Sequence, residues 1–169
     1  MRQLLTFLLL SLLGLLALAA TAQGNAMRVV YKQFDFYIPE DPVLVAYLGT
    51  NSEILAVKYS EQQGKKYVSF GREHGLTKNG CPLATFFEEV LRKSIEDCHE
   101  GAVKSFQAVF ANDADSGSWS GASHKFFYFI SKNQSTVFVL PEEPGDTLYK
   151  VESDYLDKAG VKAIFSKYL

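Results

Sequence analysis

Cys81 and Cys98 bracket a segment whose apolar residues recur at helical spacing, and the two features make incompatible demands on the fold. Leu83, Phe86, Phe87, Val90, Leu91, Ile95 and Cys98 fall at steps of three and four. That is one stripe of an amphipathic helix over about residues 83–97. Glu88 and Glu89 stand four residues before Arg92 and Lys93, the orientation that favours exposed ion pairs. A continuous helix there would hold the two cysteine Cα atoms roughly 25 Å apart at 1.5 Å per residue. A disulfide needs about 4.4–6.8 Å. Two start signals compete. Pro82 suits a first helical position. Thr85-Phe86-Phe87-Glu88 matches a capping box that would start the helix at Thr85 and free residues to close the bridge.

The N-terminus bears on which demand wins. Arg2 precedes an apolar run from Leu4 to Ala20, interrupted only by Thr6, Ser11 and Gly14, and Ala20-Thr21-Ala22 follows it. Positive start, apolar run and small-residue site together read as a secretory signal peptide, residues 1–22, cleaved after Ala22 to leave Gln23 first. The run is shorter than the about 20 apolar residues of a spanning helix. No cysteine follows it to carry a lipid, and no later segment is apolar enough to span, so no stable membrane anchor is expected after cleavage. The expected location is periplasmic or secreted. Thiols are oxidised there, which favours a Cys81–Cys98 disulfide. Two buried thiols, or a bridge between chains, are the alternatives. The closed loop would stabilise the chain by about 3 kcal/mol.

Without the leader, residues 23–169 suffice for one globular domain. The formal net charge of -2 becomes -3 once Arg2 is lost. That mild acidity, with no run of like charges, argues against nucleic acid or anionic lipid as a partner. Tyr and Phe recur beside Val, Ile and Thr, a composition that favours strands with the rings in the core.

Residues 23–27 read as a loose terminus. Arg28 to Ile38 reads as one strand, with Phe34, Phe36 and Ile38 on one face and Asp35 and Tyr37 on the other, stopped by Pro39 and Pro42. Val43 to Leu48 is a continuous apolar run. Ile54 to Tyr59 and Tyr67 to Phe70 flank a polar turn at residues 62–66. Lys104 to Ala111 reads as a strand, and Asn112 to Ser123 as a long polar loop. His124 to Ser131 and Thr136 to Leu140 form a hairpin, and Thr147 to Val151 adds a strand. Val161, Ile164, Phe165, Tyr168 and Leu169 suggest a short closing helix, with Gly160 weakening its start. The sum is an α+β domain: a mainly antiparallel sheet of about 6–8 strands, one amphipathic helix on one face and a short C-terminal helix. A strand entering a Pro-containing turn, then hairpins, then one covering helix is loosely similar to PsbP-like domains. The likeness is in element order alone and implies no function.

Motifs for chemistry are sparse. Asn112 to Gly117 starts like a calcium loop, but Gly117, Ser118 and His124 occupy the places that need an oxygen ligand, Gly and Glu. Gly117-Ser118-Trp119-Ser120-Gly121 has Trp where a nucleophile elbow needs Ser. His74, His99 and His124 lack the spacing of paired ligands on a helix, so neither metal nor cofactor is expected. Asn133-Gln134-Ser135 is a glycosylation sequon by pattern. The expectation is an exported, non-enzymatic protein-binding module, of inhibitor or immunity type or an accessory factor of the cell envelope. Its contact surface would be the loop with Trp119 as anchor, Asp113 and Asp115 as polar rim and His124 beside them. The alternatives are a small secreted hydrolase with His124 or His74 as base in a non-contiguous site, and a domain enclosing a small apolar ligand.

Overall fold

Lys32 and Gln33 divide what reads as one strand into two. In the computed structural model, which describes residues 26–49, 53–74, 80–141 and 147–169, β1 (Ala26–Tyr31) pairs antiparallel with β2 (Phe34–Pro39). The last pair is Tyr31 with Phe34, and Lys32 takes a left-handed conformation (φ 55°) in the two-residue reversal. The expected facing of Phe34, Phe36 and Ile38 survives, since all three are buried. Ala26 and Met27, read as a loose end, are paired with Pro39 and Ile38. The expected leader, residues 1–22, and the expected cleavage after Ala22 lie outside the described residues.

A second, seven-stranded sheet forms from β3 (Leu44–Leu48), β4 (Ile54–Lys58), β5 (Tyr67–His74), β6 (Asp115–Ser120), β7 (His124–Ile130), β8 (Ser135–Pro141) and β9 (Thr147–Ser153). Its order is β3-β4-β5-β9-β8-β7-β6, antiparallel throughout. Both faces are covered. Successive side chains of β7 show it: Phe126 and Tyr128 join one core, Phe127 and Phe129 the other. On the first face the β1–β2 hairpin and α3 (Lys158–Ile164) bury Phe36, Phe70, Val151 and Phe165, with the Phe36 and Phe70 rings stacked at 4.7 Å. On the other, α1 (Leu83–Arg92) and α2 (Glu100–Phe106) set Phe86, Phe87 and Val103 over Phe127, Phe138 and Leu148. Most of the phenylalanine rings are core, as their company with β-branched residues suggests, whereas Tyr37 and Tyr47 are exposed. The α+β class and the antiparallel sheet are what the sequence leads one to expect.

The cysteine conflict is resolved at the end of α1, not at its start. The helix begins directly after Pro82, so the capping box at Thr85 is not used. It stops at Arg92, five residues short of the periodic pattern, because Lys93 turns left-handed (φ 56°). Ile95 still packs on the core, but from an irregular segment. The chain returns, and Cys81 and Cys98 form a disulfide with their Cα atoms 5.0 Å apart.

Two further expectations are corrected. Residues 104–111 are not a strand: α2 is capped by His99, whose ring accepts from the Ala102 N–H at 3.4 Å, and runs into one wide π turn, Gln107–Ala111. Val103, Phe106 and Phe110 satisfy a helical period; Val103 is buried, and the Phe106 and Phe110 rings meet Phe129 and Phe138. Residues 112–123 are not one loop, because Asp115–Ser120 pairs with β7 along its whole length. The C-terminal helix starts soundly because Asp157 accepts from the Gly160 N–H at 2.8 Å.

Candidate functional site

Trp119, expected on a loop, is held inside the fold's own contacts. It pairs with Phe126, which places it diagonally from Tyr128 on the same face of the sheet. Gly117 lies opposite Tyr128; a side chain there would collide with the tyrosine hydroxyl, so the ring is free to lean across the edge glycine. The Trp119 and Tyr128 rings stack at 4.6 Å. α3 closes over them: Lys158 Nζ lies 4.2 Å from the Tyr128 ring centre, and Lys162 Nζ lies 5.6 Å from that of Trp119. Lys158 also binds Asp115 and donates to the Tyr128 hydroxyl, both at 2.9 Å, and these hydrogen bonds raise its pKa. Asp115 and Trp119 are thus brought together, tying β6 to α3. Asp113 is exposed on the preceding turn with a left-handed backbone (φ 56°).

His124 belongs to another neighbourhood. It opens β7, with its ring 5.0 Å from Phe34 and 5.7 Å from Tyr168, and Nδ1 lies 2.9 Å from Ser123 Oγ. Beside it is an open depression of about 350 Å³, lined by Ala84, Ser120, Gly121, His124, Lys125, Leu140 and Pro141. Lys125 lies 2.5 Å from Glu88, and that hydrogen bond holds the Glu88 carboxyl below its ordinary value. His74 ends β5 opposite Thr147, and His99 caps α2. The three histidines stand in three separate places. Among the described residues no three His, Cys, Asp or Glu side chains gather as a metal site.

The feature that sequence reasoning passed over is β3. Leu44-Val45-Ala46-Tyr47-Leu48 has no polar residue, the pattern of a strand buried on both faces. It is instead the outermost strand of the sheet. Register with β4 puts Val45 and Tyr47 beside Val57 and Leu55, and Leu44, Ala46 and Leu48 beside Lys58, Ala56 and Ile54. Leu44, Val45, Tyr47 and Leu48 are each 52–58% exposed. An edge is normally blunted by charge, proline or a bulge. The opposite edge, β6, is polar, with Asp115 and three serines. The continuous apolar run was the signal; its position in the sheet was not readable.

Among the described residues no helix is long and apolar enough to cross a membrane. No known family, curated protein or solved structure matches this chain.

Proposed function

We propose that this chain is an exported protein-binding module whose contact surface is the β3 edge. The observation that carries the reading is the apolar, solvent-facing strand Leu44–Leu48 at the end of an otherwise well-covered sheet. Such an edge offers unpaired backbone groups for a partner's extended segment, and pockets between alternate side chains for selectivity. The leader-like segment before Gln23 and the Cys81–Cys98 disulfide support an oxidising compartment as the place of encounter. Trp119 is not the anchor in this reading, because Tyr128 and Lys162 already occupy its ring. Inhibitor, immunity protein and envelope accessory factor are all consistent with the same edge.

A photoreactive aromatic residue in place of Tyr47, in cells making the full chain, tests the surface. A discrete heavier adduct is expected, and the same probe at Ser118 on the opposite edge should give none. Equal labelling at both positions, or none at Tyr47, would overturn the assignment. The mass of the recovered protein checks export separately: it should begin at Gln23, whereas an intact Met1 would contradict cleavage. A second reading, a small hydrolase, draws on the 2.9 Å Ser123–His124 contact beside the depression. Hydrolysis of activated esters that is lost in His124→Gln would favour it.

A further inference from the structure

We infer that the occupant of the β3 edge is a second copy of this chain, joined strand to strand about a two-fold axis at Ala46. This rests on the reading of β3 as a binding edge and adds the partner's identity. Antiparallel self-pairing centred on Ala46 sets Leu44 against Leu48 and Val45 against Tyr47, so each of the five strand residues gains an apolar or small neighbour. Centring on Tyr47 would leave Leu44 without a partner in the strand, and centring on Val45 would oppose Leu48 with Pro42. Proline cannot supply the ladder its N–H. The residue at the axis faces its own copy, and the small Ala46 accepts that crowding.

Charge fits as well. Residues 42–49 carry none, so no carboxylate or ammonium is buried by the pairing. Glu40 and Asp41 lie just before the strand, and antiparallel pairing carries the two copies of Asp41 to opposite ends. Their separation would be about 34 Å at 3.4 Å per residue. Parallel pairing would instead bring these acids side by side. An apolar floor also continues across the joint. Leu44, Ala46 and Leu48 share a face with Ile54 and Ala56, bounded at one end by Lys58, whose ammonium donates to the Gln62 carbonyl at 3.0 Å, and the axis places the same residues of the second copy beside them. A two-fold interface of this kind closes on itself, so it gives a dimer and not a fibre.

The test uses the full chain as processed by its host. Sedimentation across a wide concentration range should show wild type passing from monomer to dimer. Ala46→Lys, which sets two lysines against each other at the axis, should remain monomeric at least ten times further up the range, with its dilute-solution melting unchanged. Ala46→Cys should oxidise to a covalent dimer, since the Cα atoms of directly opposed residues lie about 4.5–5.5 Å apart, within the about 4.4–6.8 Å that a disulfide spans. Ser118→Cys on the far edge should not. Wild type that stays monomeric throughout, or Ala46→Lys that dimerises equally, overturns the self-pairing. The Tyr47 photoadduct separates the two levels. An adduct of twice the chain mass supports the second copy. An adduct to a different protein rejects the second copy and keeps the binding edge, and no adduct rejects both.

Discussion

Glu89 decides where the covering helix ends. Its spacing from Lys93 reads as half of an exposed ion pair, and the Glu88–Arg92 pair at 3.6 Å does form. Glu89 is only 5% exposed instead, and its Oε1 accepts the Asp97 and Glu96 backbone N–H groups at 2.7 and 3.1 Å. Those bonds, the one from Asp97 foremost, hold its carboxyl below the ordinary 4.5. The unfolded chain therefore takes up the proton first. The stabilisation is complete above about pH 4.5 and is lost as pH falls through the lower folded value. Glu88, held low by Lys125, and Asp35, held low by Lys167, act in the same direction. Glu89→Gln is expected to melt below wild type at pH 7 and to approach it by pH 3. Thermal melts at both pH values check this, and a constant gap would assign Glu89 to packing alone. Gly121 is the second decisive residue. A Cβ there would run into the Tyr168 carbonyl, which is backbone and cannot swing aside. Gly121→Ala should cost about 1–3 kcal/mol in urea unfolding, the usual range for overpacking. Neither residue announces itself in the sequence, because the partner of each comes from outside its local pattern.

At the scale of elements, the strongest periodic signal was right in kind and wrong in extent. Period reports which face is apolar, and Ile95 and Cys98 do face the core. It does not report whether the backbone between them stays helical once a disulfide and a buried carboxylate draw the chain back. Cys98→Ala should lower stability by about 2–4 kcal/mol, the loss expected for a closed loop of this size. Urea unfolding with and without reductant checks it: reductant should weaken wild type and leave the variant unmoved. Residues 104–111 failed differently. Phe106, Ala108 and Phe110 fit alternation, while Val103, Phe106 and Phe110 fit a helix, and only the rings of Phe129 and Phe138 choose between them. β6 carries three serines, a glycine and an aspartate, poor strand formers by themselves. It is a strand because β7 offers it a backbone ladder.

At the scale of the whole molecule, the sheet separates two cores, and the strands between them alternate their side chains into each. Phe36 lies in one core and Phe87 in the other, both almost wholly buried. Phe36→Ala and Phe87→Ala should each cost about 3–5 kcal/mol. Because the two sites share no partner, their double-mutant coupling should fall within about 0.5 kcal/mol of zero in urea titrations. A large coupling would mean that the cores act as one. What the sequence determined by itself was the facing of most apolar segments and the cysteine pair, and so the α+β class with its hairpins and covering helix, but neither the reversal at Lys32 nor the helical course of residues 104–111. Tertiary structure alone decided where α1 stops, that residues 115–120 are a strand and that Trp119 is occupied. It also decided that β3, written like a buried strand, stands at the edge. The physical reason is that facing is a property of a segment, whereas strand order and the ends of elements depend on which distant groups meet.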